Sequence, residues 1–256
     1  MSINNINQAV YTNASVASTY ADTSLQSPEI AILVKYKDAF YGKKILDIGC
    51  GAGRTSFHFR NFTTDYTAVD YSEEMIQLCK KKYPELPFHT CDARNLSRFD
   101  DDSFDFIIFS YNGIDYITNE DRLTVLNEVK RVLKSNGLFV FSTHNLNFTK
   151  IITKPTFETS LNPLRLLQNT MEFIRQKKNN NKLKSEQIKE RDYSILNDSG
   201  DAFSLLTYYI TKEKQTIQLN NLGFKTLSIF DMEGKEVGNN ANDSSNCWLY
   251  FVTQIN

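Results

Sequence analysis

Three glycines at alternate positions follow a short apolar run early in the chain, and they restrict the possible fold more than any other feature. The apolar run spans residues 45–48, and the glycines are Gly49, Gly51 and Gly53. Glycine permits a sharp turn and lets the main chain approach a ligand that a Cβ atom would push away. Because residues 55–62 then carry a helical apolar pattern, the stretch predicts a buried strand, a tight turn and a helix.

The residues around this turn favour a nucleoside with a cationic tail over a dinucleotide. A dinucleotide site needs a small residue at the sixth position of the glycine pattern, where this chain has Arg54. Asp47 precedes the first glycine by two residues; it would repel a pyrophosphate but attract an ammonium and a sulfonium. Asp70 closes a second apolar run and can accept hydrogen bonds from ribose hydroxyls. These features predict S-adenosylmethionine as the cofactor, with S-adenosylhomocysteine as its product.

The segment from Asp47 to Gly53 resembles motif I of the class I (Rossmann-like) S-adenosylmethionine-dependent methyltransferases, whose pattern is Asp/Glu-x-Gly-x-Gly-x-Gly. The resemblance runs over residues 43–143 and resumes at the C-terminus. It implies an α/β fold: a seven-stranded, mostly parallel sheet with a C-terminal antiparallel hairpin, helices on both faces and an inserted lid. Two strand-like runs, 224–230 and 248–254, predict the hairpin independently of motif I.

We predict three parts of the chain. They are an N-terminal helical arm at 1–42, a methyltransferase core at 43–143 and 210–256, and an inserted lid or substrate-binding subdomain at 144–209. Insertions at this place shape the acceptor site in the family that the chain resembles. Within the core, the helix that opens at Asn119 is expected to stop at Gly137, before the fifth strand.

The resemblance implies a set of cofactor-binding residues. Two tyrosines of the arm would fold over the cofactor, although they would equally serve to pack the arm on the core. Asp92 would receive the adenine amino group and the Ala93 amide a ring nitrogen, unless Asp92 only caps a turn. The full set is Tyr11, Tyr20, Asp47, Gly49, Gly51, Gly53, Asp70, Tyr71, Asp92, Ala93 and Ser110.

Two residues are candidates for catalysis, His144 and Tyr111. A general base is needed only if the acceptor carries a proton, and histidine ordinarily titrates nearest to neutrality. His144 leaves the fifth strand on the side where such sheets bind ligands, although a histidine bonded only to main chain would look the same. Tyr111, with Asn112 and Asp115, follows the fourth strand and can orient an acceptor. The Asn/Asp-Pro-Pro-Tyr motif of enzymes that methylate base amines or glutamine is absent there.

Composition narrows the class of partner. The 256 residues carry a net charge of −1, which gives no general argument for nucleic acid or a membrane as partner. No apolar run approaches the roughly 20 residues that span a bilayer, and the N-terminus has no signal-peptide pattern. The four cysteines include no C-x-x-C pair, so we expect free thiols in the cytoplasm and no metal site. A small-molecule acceptor is therefore predicted, while the oligomeric state stays open.

Three other functions remain open at this point. Residues 175–191 are rich in Lys and Asn and read as a solvated helix or loop. A phosphate-binding face there would instead suit an RNA or protein methyltransferase. A non-catalytic S-adenosylmethionine-binding module and a dehydrogenase are the remaining alternatives.

Overall fold

The computed structural model describes residues 3–11, 23–238 and 241–255, and of Tyr11 only the main chain. Ten strands there form one sheet: β1 (Ile45–Ile48), β2 (Tyr66–Asp70), β3 (Phe88–Thr90), β4 (Phe104–Phe109), β5 (Leu133–Asn145), β6 (Ile188–Lys189), β7 (Tyr193–Leu196), β8 (Thr207–Ile210), β9 (Phe224–Phe230) and β10 (Trp248–Ile255). The helices are α1 (Ile3–Tyr11), α2 (Ser27–Lys35), α3 (Lys37–Phe40), α4 (Ser56–Phe59), α5 (Glu73–Lys82), α6 (Asn119–Val132), α7 (Pro163–Leu183) and α8 (Lys212–Asn221). In the described ranges, no helix has both the length and the apolar character needed to cross a membrane.

Seven of the strands form the predicted core sheet, in the order β3-β2-β1-β4-β5-β10-β9. Strands β1 to β5 pair in parallel, whereas β10 is antiparallel to both β5 and β9. The predicted fold class, including the C-terminal antiparallel hairpin, is therefore confirmed.

The central strands are buried on both faces, as their near-continuous apolar sequence predicts. All four residues of β1 are buried. Leu46 and Ile48 pack in a cluster with residues of α6 and α8, whereas Ile45 packs on the other face with α2, α3 and α5. Helices thus cover both faces, and the carboxyl ends of the strands are left as the edge where ligands can bind.

Three further strands, β6 to β8, come from the segment predicted as an inserted subdomain, and they extend the same sheet. β8 pairs in parallel with the end of β5, through Tyr209 and His144, and β7 and β6 follow in antiparallel order. His144 also pairs with Trp248 of β10, so β8 and β10 lie on opposite edges of β5. β8 therefore takes the edge that β4 leaves after Phe109.

Two helices bear on the sequence predictions. α6 ends at Val132 and the chain enters β5 directly, so the predicted stop at Gly137 is wrong. Gly137 lies inside β5, where a Cβ atom would come within 2.6 Å of the Leu133 side chain. α1 is anchored by the buried Asn7, whose Nδ2 donates to the carbonyls of Tyr116 at 2.8 Å and Leu206 at 2.7 Å. This fixes α1 beside the carboxyl ends of the strands.

Candidate active site

A cavity of about 230 Å³ lies at the carboxyl ends of β1, β2 and β4, the edge at which open α/β sheets bind ligands. Nine residues that the sequence predicts for the site line this cavity together. They are Asp47, Gly49, Gly51, Asp70, Tyr71, Asp92, Ala93, Ser110 and Tyr111. Asn4 and Gln8 of α1 line it as well, so the first helix contributes to its wall.

Asp47 is a buried carboxylate whose described hydrogen-bond donors are neutral. Its Oδ2 accepts from the Thr55 hydroxyl and from the Tyr66 hydroxyl, the latter at 2.6 Å. Burial raises the pKa of Asp47 from its ordinary 3.8 to about 6, against the lowering effect of these two hydrogen bonds. Ionisation therefore costs free energy here, and a cation bound in the cavity would recover part of that cost.

Asp70 ties the end of β2 to the glycine turn. Its Oδ2 accepts from the Gly51 amide and its Oδ1 from the Ser72 amide, both at 2.9 Å. Burial raises the pKa of Asp70, and these amides, with that of Tyr71, oppose the shift. A carboxylate offers about four acceptor positions, so three amides leave Asp70 room for a ligand hydroxyl.

The three glycines of the turn serve different purposes. All three have positive φ, at 64°, 52° and 82° along the chain. A Cβ at Gly49 would come within 2.6 Å of Phe109, and one at Gly53 within 2.9 Å of Tyr83. A Cβ at Gly51 would meet no atom within 4 Å, because this residue borders the cavity. Only Gly51 therefore leaves open space for a ligand, whereas the other two accommodate neighbouring rings.

Asp92 lines the cavity as one partner of an ion pair. Arg94 Nε lies 3.0 Å from both Asp92 oxygens, and Nη2 lies 2.5 Å from Oδ2. Partial burial would raise the pKa of Asp92, but the hydrogen bonds and charge of Arg94 outweigh it and lower the pKa. Arg94 also contacts Asp121 at 3.2 Å, and Asp121 accepts from Asn4 of α1. A chain of polar contacts thus joins this side of the cavity to the first helix.

Arg54 forms a bidentate, buried ion pair with Glu29 of α2. Each of its two Nη atoms lies 2.6 Å from one Glu29 oxygen. Glu29 Oε1 also accepts from the Ser110 hydroxyl, and Ser110 Oγ lies 3.1 Å from the Tyr250 hydroxyl. Ser110, predicted for cofactor binding, is therefore engaged in holding α2, β4 and β10 together at the cavity wall.

Aromatic side chains form one end of the cavity, which we call the aromatic wall: Tyr111, Tyr116 and Trp248. The Tyr111 and Trp248 rings meet edge to face, with centroids 5.2 Å apart. Arg54 lies 5.1 Å from the Tyr111 ring centroid. His144 contacts the wall, 5.6 Å from Trp248 and 6.2 Å from Tyr116 between ring centroids.

The main chain turns sharply where the aromatic wall begins. Tyr111 and Asn112 are both left-handed, with φ of 60° and 58°. For non-glycine residues this conformation is costly, and such strain persists only where the surroundings impose it. The amide of Asn112 donates to Ser142 Oγ at 2.8 Å, which holds the turn against β5. The turn allows Tyr111 to line the cavity directly after β4.

Asp115 is fully buried and orients His144. Its Oδ2 accepts from the main-chain amide of His144 at 2.7 Å and contacts Nδ1 of the same residue at 2.8 Å. Its Oδ1 accepts from the Thr143 hydroxyl at 2.9 Å and from Arg122. No described residue contacts Nε2 of His144 within hydrogen-bond distance. A histidine with one nitrogen held by a carboxylate has its second nitrogen oriented and can take up a proton there.

Arg122 compensates the charge of Asp115 from within the core. It is fully buried, and Nη1 also donates to the Ile114 carbonyl at 3.1 Å. Nη2 donates to Gln215 Oε1 at 2.8 Å, and the guanidinium lies 4.5 Å from the Tyr208 ring centroid. The Asp115–His144 pair therefore rests on α6, β5, β8 and α8 together.

Four predicted site residues stand outside the lining of this cavity as described. Gly53 packs against the next helix, and His144 lies behind the aromatic wall. The side chain of Tyr11 and the whole of Tyr20 lie outside the described residues, so their predicted contact with the cofactor stays a prediction.

Sequence reasoning missed several residues of the site, and the reasons differ. Asn4 and Gln8 belong to a polar helix whose sequence gives no sign of its position. Arg122 reads as an ordinary surface residue of an amphipathic helix. Trp248 was recognised only as a strand residue. Glu29 lies 25 positions before Arg54, and no local sequence pattern links the two residues.

The described residues fit S-adenosylmethionine better than a dinucleotide. Asp47 offers a buried negative charge, Asp70 keeps acceptor capacity for a hydroxyl, and Gly51 leaves open space beside both. The two arginines of the lining, Arg54 and Arg94, already pair with carboxylates and offer no free cation to a pyrophosphate. In the described chain, no three His, Cys, Asp or Glu side chains form a metal-binding group.

Comparison with known sequences identifies the central part of the chain. A family model described as a methyltransferase domain matches residues 45–137. The uncharacterized methyltransferase YcgJ of Bacillus subtilis is 28% identical over 156 residues, covering 58% of this chain and 59% of that protein. A demethylmenaquinone methyltransferase of Paenarthrobacter aurescens is 32% identical over 111 residues, covering 43% and 42%. The chain thus spans less than two thirds of the length of these curated relatives.

Comparison with solved structures extends the likeness to the whole fold. The PH0226 protein of Pyrococcus horikoshii aligns with a TM-score of 0.56 and 23% identity, covering 93% of this chain and 95% of that one. The 1,6-didemethyltoxoflavin-N1-methyltransferase of Burkholderia thailandensis, solved with 1,6-didemethyltoxoflavin and S-adenosylhomocysteine, aligns with a TM-score of 0.61 and 12% identity, covering 98% and 87%. At these identities the likeness concerns the fold.

Proposed function

We propose that this chain is a class I S-adenosylmethionine-dependent methyltransferase that transfers a methyl group to an oxygen or nitrogen atom of a small-molecule acceptor. The methyltransferase domain matched at residues 45–137 and the shared fold support this proposal. The bound cofactor supplies an electrophilic methyl group for an in-line displacement. The protein has to hold the acceptor atom on that line, exclude water and remove a proton where the acceptor carries one.

One observation carries this proposal beyond the family: the His144–Asp115 pair behind the aromatic wall. The 2.8 Å contact between Asp115 Oδ2 and Nδ1 favours the tautomer with the proton on Nδ1. Nε2 is then the nitrogen that accepts a proton from the acceptor. Asp115 is fixed in turn by Arg122, so the imidazolium that forms would face a carboxylate held in place.

The cofactor end of the cavity has a different task. Asp47 would attract the cationic tail of the cofactor, Asp70 would accept from a ribose hydroxyl, and Asp92 and Ala93 would contact the adenine. All four line one cavity, which supports these assignments. Tyr111, at the junction of this end with the aromatic wall, would orient the acceptor beside the methyl group.

The charges and shapes at the aromatic wall favour a neutral acceptor that contains a flat ring. Arg54 is neutralised by Glu29 and Asp115 by Arg122, so among the described residues this end of the cavity offers no uncompensated charge to a charged acceptor. Tyr111, Tyr116 and Trp248 present ring faces and edges suited to stacking. A relative and a structural neighbour named for demethylmenaquinone and 1,6-didemethyltoxoflavin also support a small-molecule acceptor.

The chain carries its own reporter for testing this proposal, because Trp248 is the single tryptophan. Phenols and nitrogen heterocycles, added with S-adenosylhomocysteine, should change the Trp248 fluorescence, whereas aliphatic amines should not. Compounds that change the Trp248 fluorescence should take up the labelled methyl group from S-adenosylmethionine. Cofactor binding with no transfer to any acceptor would instead indicate a non-catalytic module, and transfer only to RNA or protein would reject a small-molecule acceptor.

The role of His144 is tested separately from the identity of the acceptor. His144→Ala should lower the rate of methyl transfer by about 100-fold or more while S-adenosylhomocysteine binds as before. His89→Ala is the matched control, since His89 lies in β3 outside the cavity lining. An unchanged pH–rate profile in the His144 variant would reject the base.

A further inference from the structure

Helix α7 carries four large aliphatic side chains in the open, which we call the α7 stripe: Leu164, Leu167, Met171 and Ile174. Their exposed fractions are 74%, 58%, 65% and 61%. Intervals of three and four residues put all four on one face of the helix. Leu161, just before the helix, is also fully exposed and continues the apolar surface.

The opposite face of α7 is already bound to the rest of the molecule. Phe173 packs edge to face on Phe157, with ring centroids 5.5 Å apart. Further along, Asn180 Nδ2 donates to Asn197 Oδ1 at 2.8 Å, and Asn179 Nδ2 donates to the Ala202 carbonyl at 3.0 Å. The helix is therefore held in an orientation that keeps the stripe outward.

Positive charge surrounds and extends the stripe. α7 contains five basic residues and one acidic residue, although the whole chain has a net charge of −1. Lys178 and Lys182 continue the line of the stripe on the same face, since they follow Met171 and Ile174 at helical intervals. Arg175 borders it. An exposed apolar face that continues into lysines is the pattern of a helix lying in a membrane interface.

We propose that the α7 stripe binds the surface of an anionic lipid bilayer. The aliphatic side chains would insert at the level of the headgroups, and the lysines would contact lipid phosphates. This departs from the expectation of no membrane partner, which rested on the net charge of the whole chain and on the lack of a spanning apolar run. It does not depend on the proposed methyl transfer, because no residue of α7 is part of the cavity lining as described.

Other occupants fit this surface less well. In an antiparallel pair of α7 helices, Lys178 and Lys182 of one copy would face the aliphatic half of the other. In a parallel pair, the lysines would face each other. A nucleic acid would match the lysines but would leave four aliphatic side chains in water. A bilayer surface meets both requirements at once.

Flotation of the full chain with vesicles tests the proposal. It should float with vesicles of phosphatidylcholine and phosphatidylglycerol, bind pure phosphatidylcholine far less, and dissociate as salt is raised. Replacing the stripe together, Leu164→Ser, Leu167→Ser, Met171→Ser and Ile174→Ser, should lower partitioning by at least about 100-fold. Val34→Ser with Ile217→Ser is the matched control, since these exposed side chains lie on other helices.

A second set of variants tests the electrostatic half and does not depend on the folding of the first. Lys178→Gln and Lys182→Gln together should lower partitioning into anionic vesicles by about 30-fold. The control replaces two exposed lysines at the end of α5, Lys80 and Lys81, in the same way.

Three outcomes would overturn the proposal. One is no flotation of the unaltered chain with anionic vesicles. Another is a dimer in sedimentation that the stripe variant converts to a monomer, which would assign the surface to a second copy. The third is salt-sensitive binding to RNA that the stripe variant retains, which would assign the lysines to nucleic acid.

Discussion

Two buried carboxylates at the carboxyl edge of the sheet, Asp47 in β1 and Asp115 after β4, are stabilised in opposite ways. Asp47 receives hydrogen bonds from two hydroxyls, and burial raises its pKa to about 6. Asp115 is at least as deeply buried but is bonded directly to the guanidinium of Arg122. No described residue in direct contact with Asp47 cancels its charge, whereas the charge of Asp115 is compensated by Arg122.

This difference indicates how one edge of a sheet can serve two purposes. A buried charge without a bonded counterion raises the free energy of the folded chain. That cost is offset only when a cation binds. A buried charge held by arginine gives no such gain, but it fixes the geometry of its neighbours. Asp47 is therefore suited to binding a cationic cofactor, and Asp115 to holding His144. The four predictions below separate these roles.

The largest effect is expected from removing the counterion of Asp115. Arg122→Met leaves a buried carboxylate without its cation, so the free energy of unfolding should fall by about 3–5 kcal/mol. Unfolding in denaturant measures this loss of free energy. Arg131→Met, which removes a more exposed arginine of the same helix, should cost about 1 kcal/mol or less. If the two variants lose the same free energy of unfolding, the buried ion pair contributes no more to stability than the exposed one.

Neutralising Asp115 itself should affect catalysis more than cofactor binding. Asp115→Asn lets the amide donate to Nδ1 of His144 and so favours the wrong tautomer. The rate should fall by about 100-fold to 10,000-fold, with S-adenosylhomocysteine affinity within about twofold of the original. Single-turnover methyl transfer and calorimetry give the two numbers. Loss of affinity without loss of rate would reverse the roles of the two acids.

The equivalent change at Asp47 should do the opposite. Asp47→Asn removes the charge that meets the cationic tail, so S-adenosylmethionine affinity should fall by about 30-fold, or about 2 kcal/mol. Calorimetry measures this, and Asp65→Asn, an exposed acid just before β2, should leave the affinity unchanged. Affinity that stays constant in the Asp47 variant would remove Asp47 from the cofactor site.

The smallest effect is on stability as a function of pH. Because the folded-state pKa of Asp47 is raised from 3.8 to about 6, the folded chain holds this proton more tightly than the unfolded chain. Raising the pH therefore costs stability between about pH 4 and pH 6, and the cost is constant above that range. Asp47→Asn lacks this cost, so its stability relative to the unaltered chain should rise over this interval by at most a few kcal/mol. A difference independent of pH would contradict the raised pKa.

The sequence predicted features whose residues lie close together in the chain, such as the glycine turn and the C-terminal hairpin. The motif around Gly49, Gly51 and Gly53 predicted a methyltransferase domain, and the family model that matches residues 45–137 agrees with this prediction. The C-terminal hairpin could be predicted from two strand-like runs, 224–230 and 248–254, and the resemblance implied it as well. Asp47 and Asp70 could be recognised because each sits at a fixed distance from a strand end.

The sequence could not predict features that depend on distant partners. Arg122 bonds Gln215 across 93 positions, and Asn7 bonds Leu206 across 199, and no local pattern encodes either pair. The prediction for Gly137 was wrong because a glycine after a helix usually caps it. Here the position lies inside β5 and has room only for glycine beside the Leu133 side chain. The edge of the sheet that β8 occupies depends on where β4 ends, and no local sequence pattern encodes that position.

The double pairing of His144 bears on how such a chain can acquire a new acceptor. Where an insertion is joined to its core only by loops, evolution or an engineer can exchange it whole. Here β8 hydrogen-bonds to the end of β5 at the residue that carries the proposed base, with β10 on the other edge. Exchange of the segment would disturb the chemistry together with the choice of substrate. New specificity is therefore more accessible through single substitutions in the aromatic wall than through recombination of the insertion.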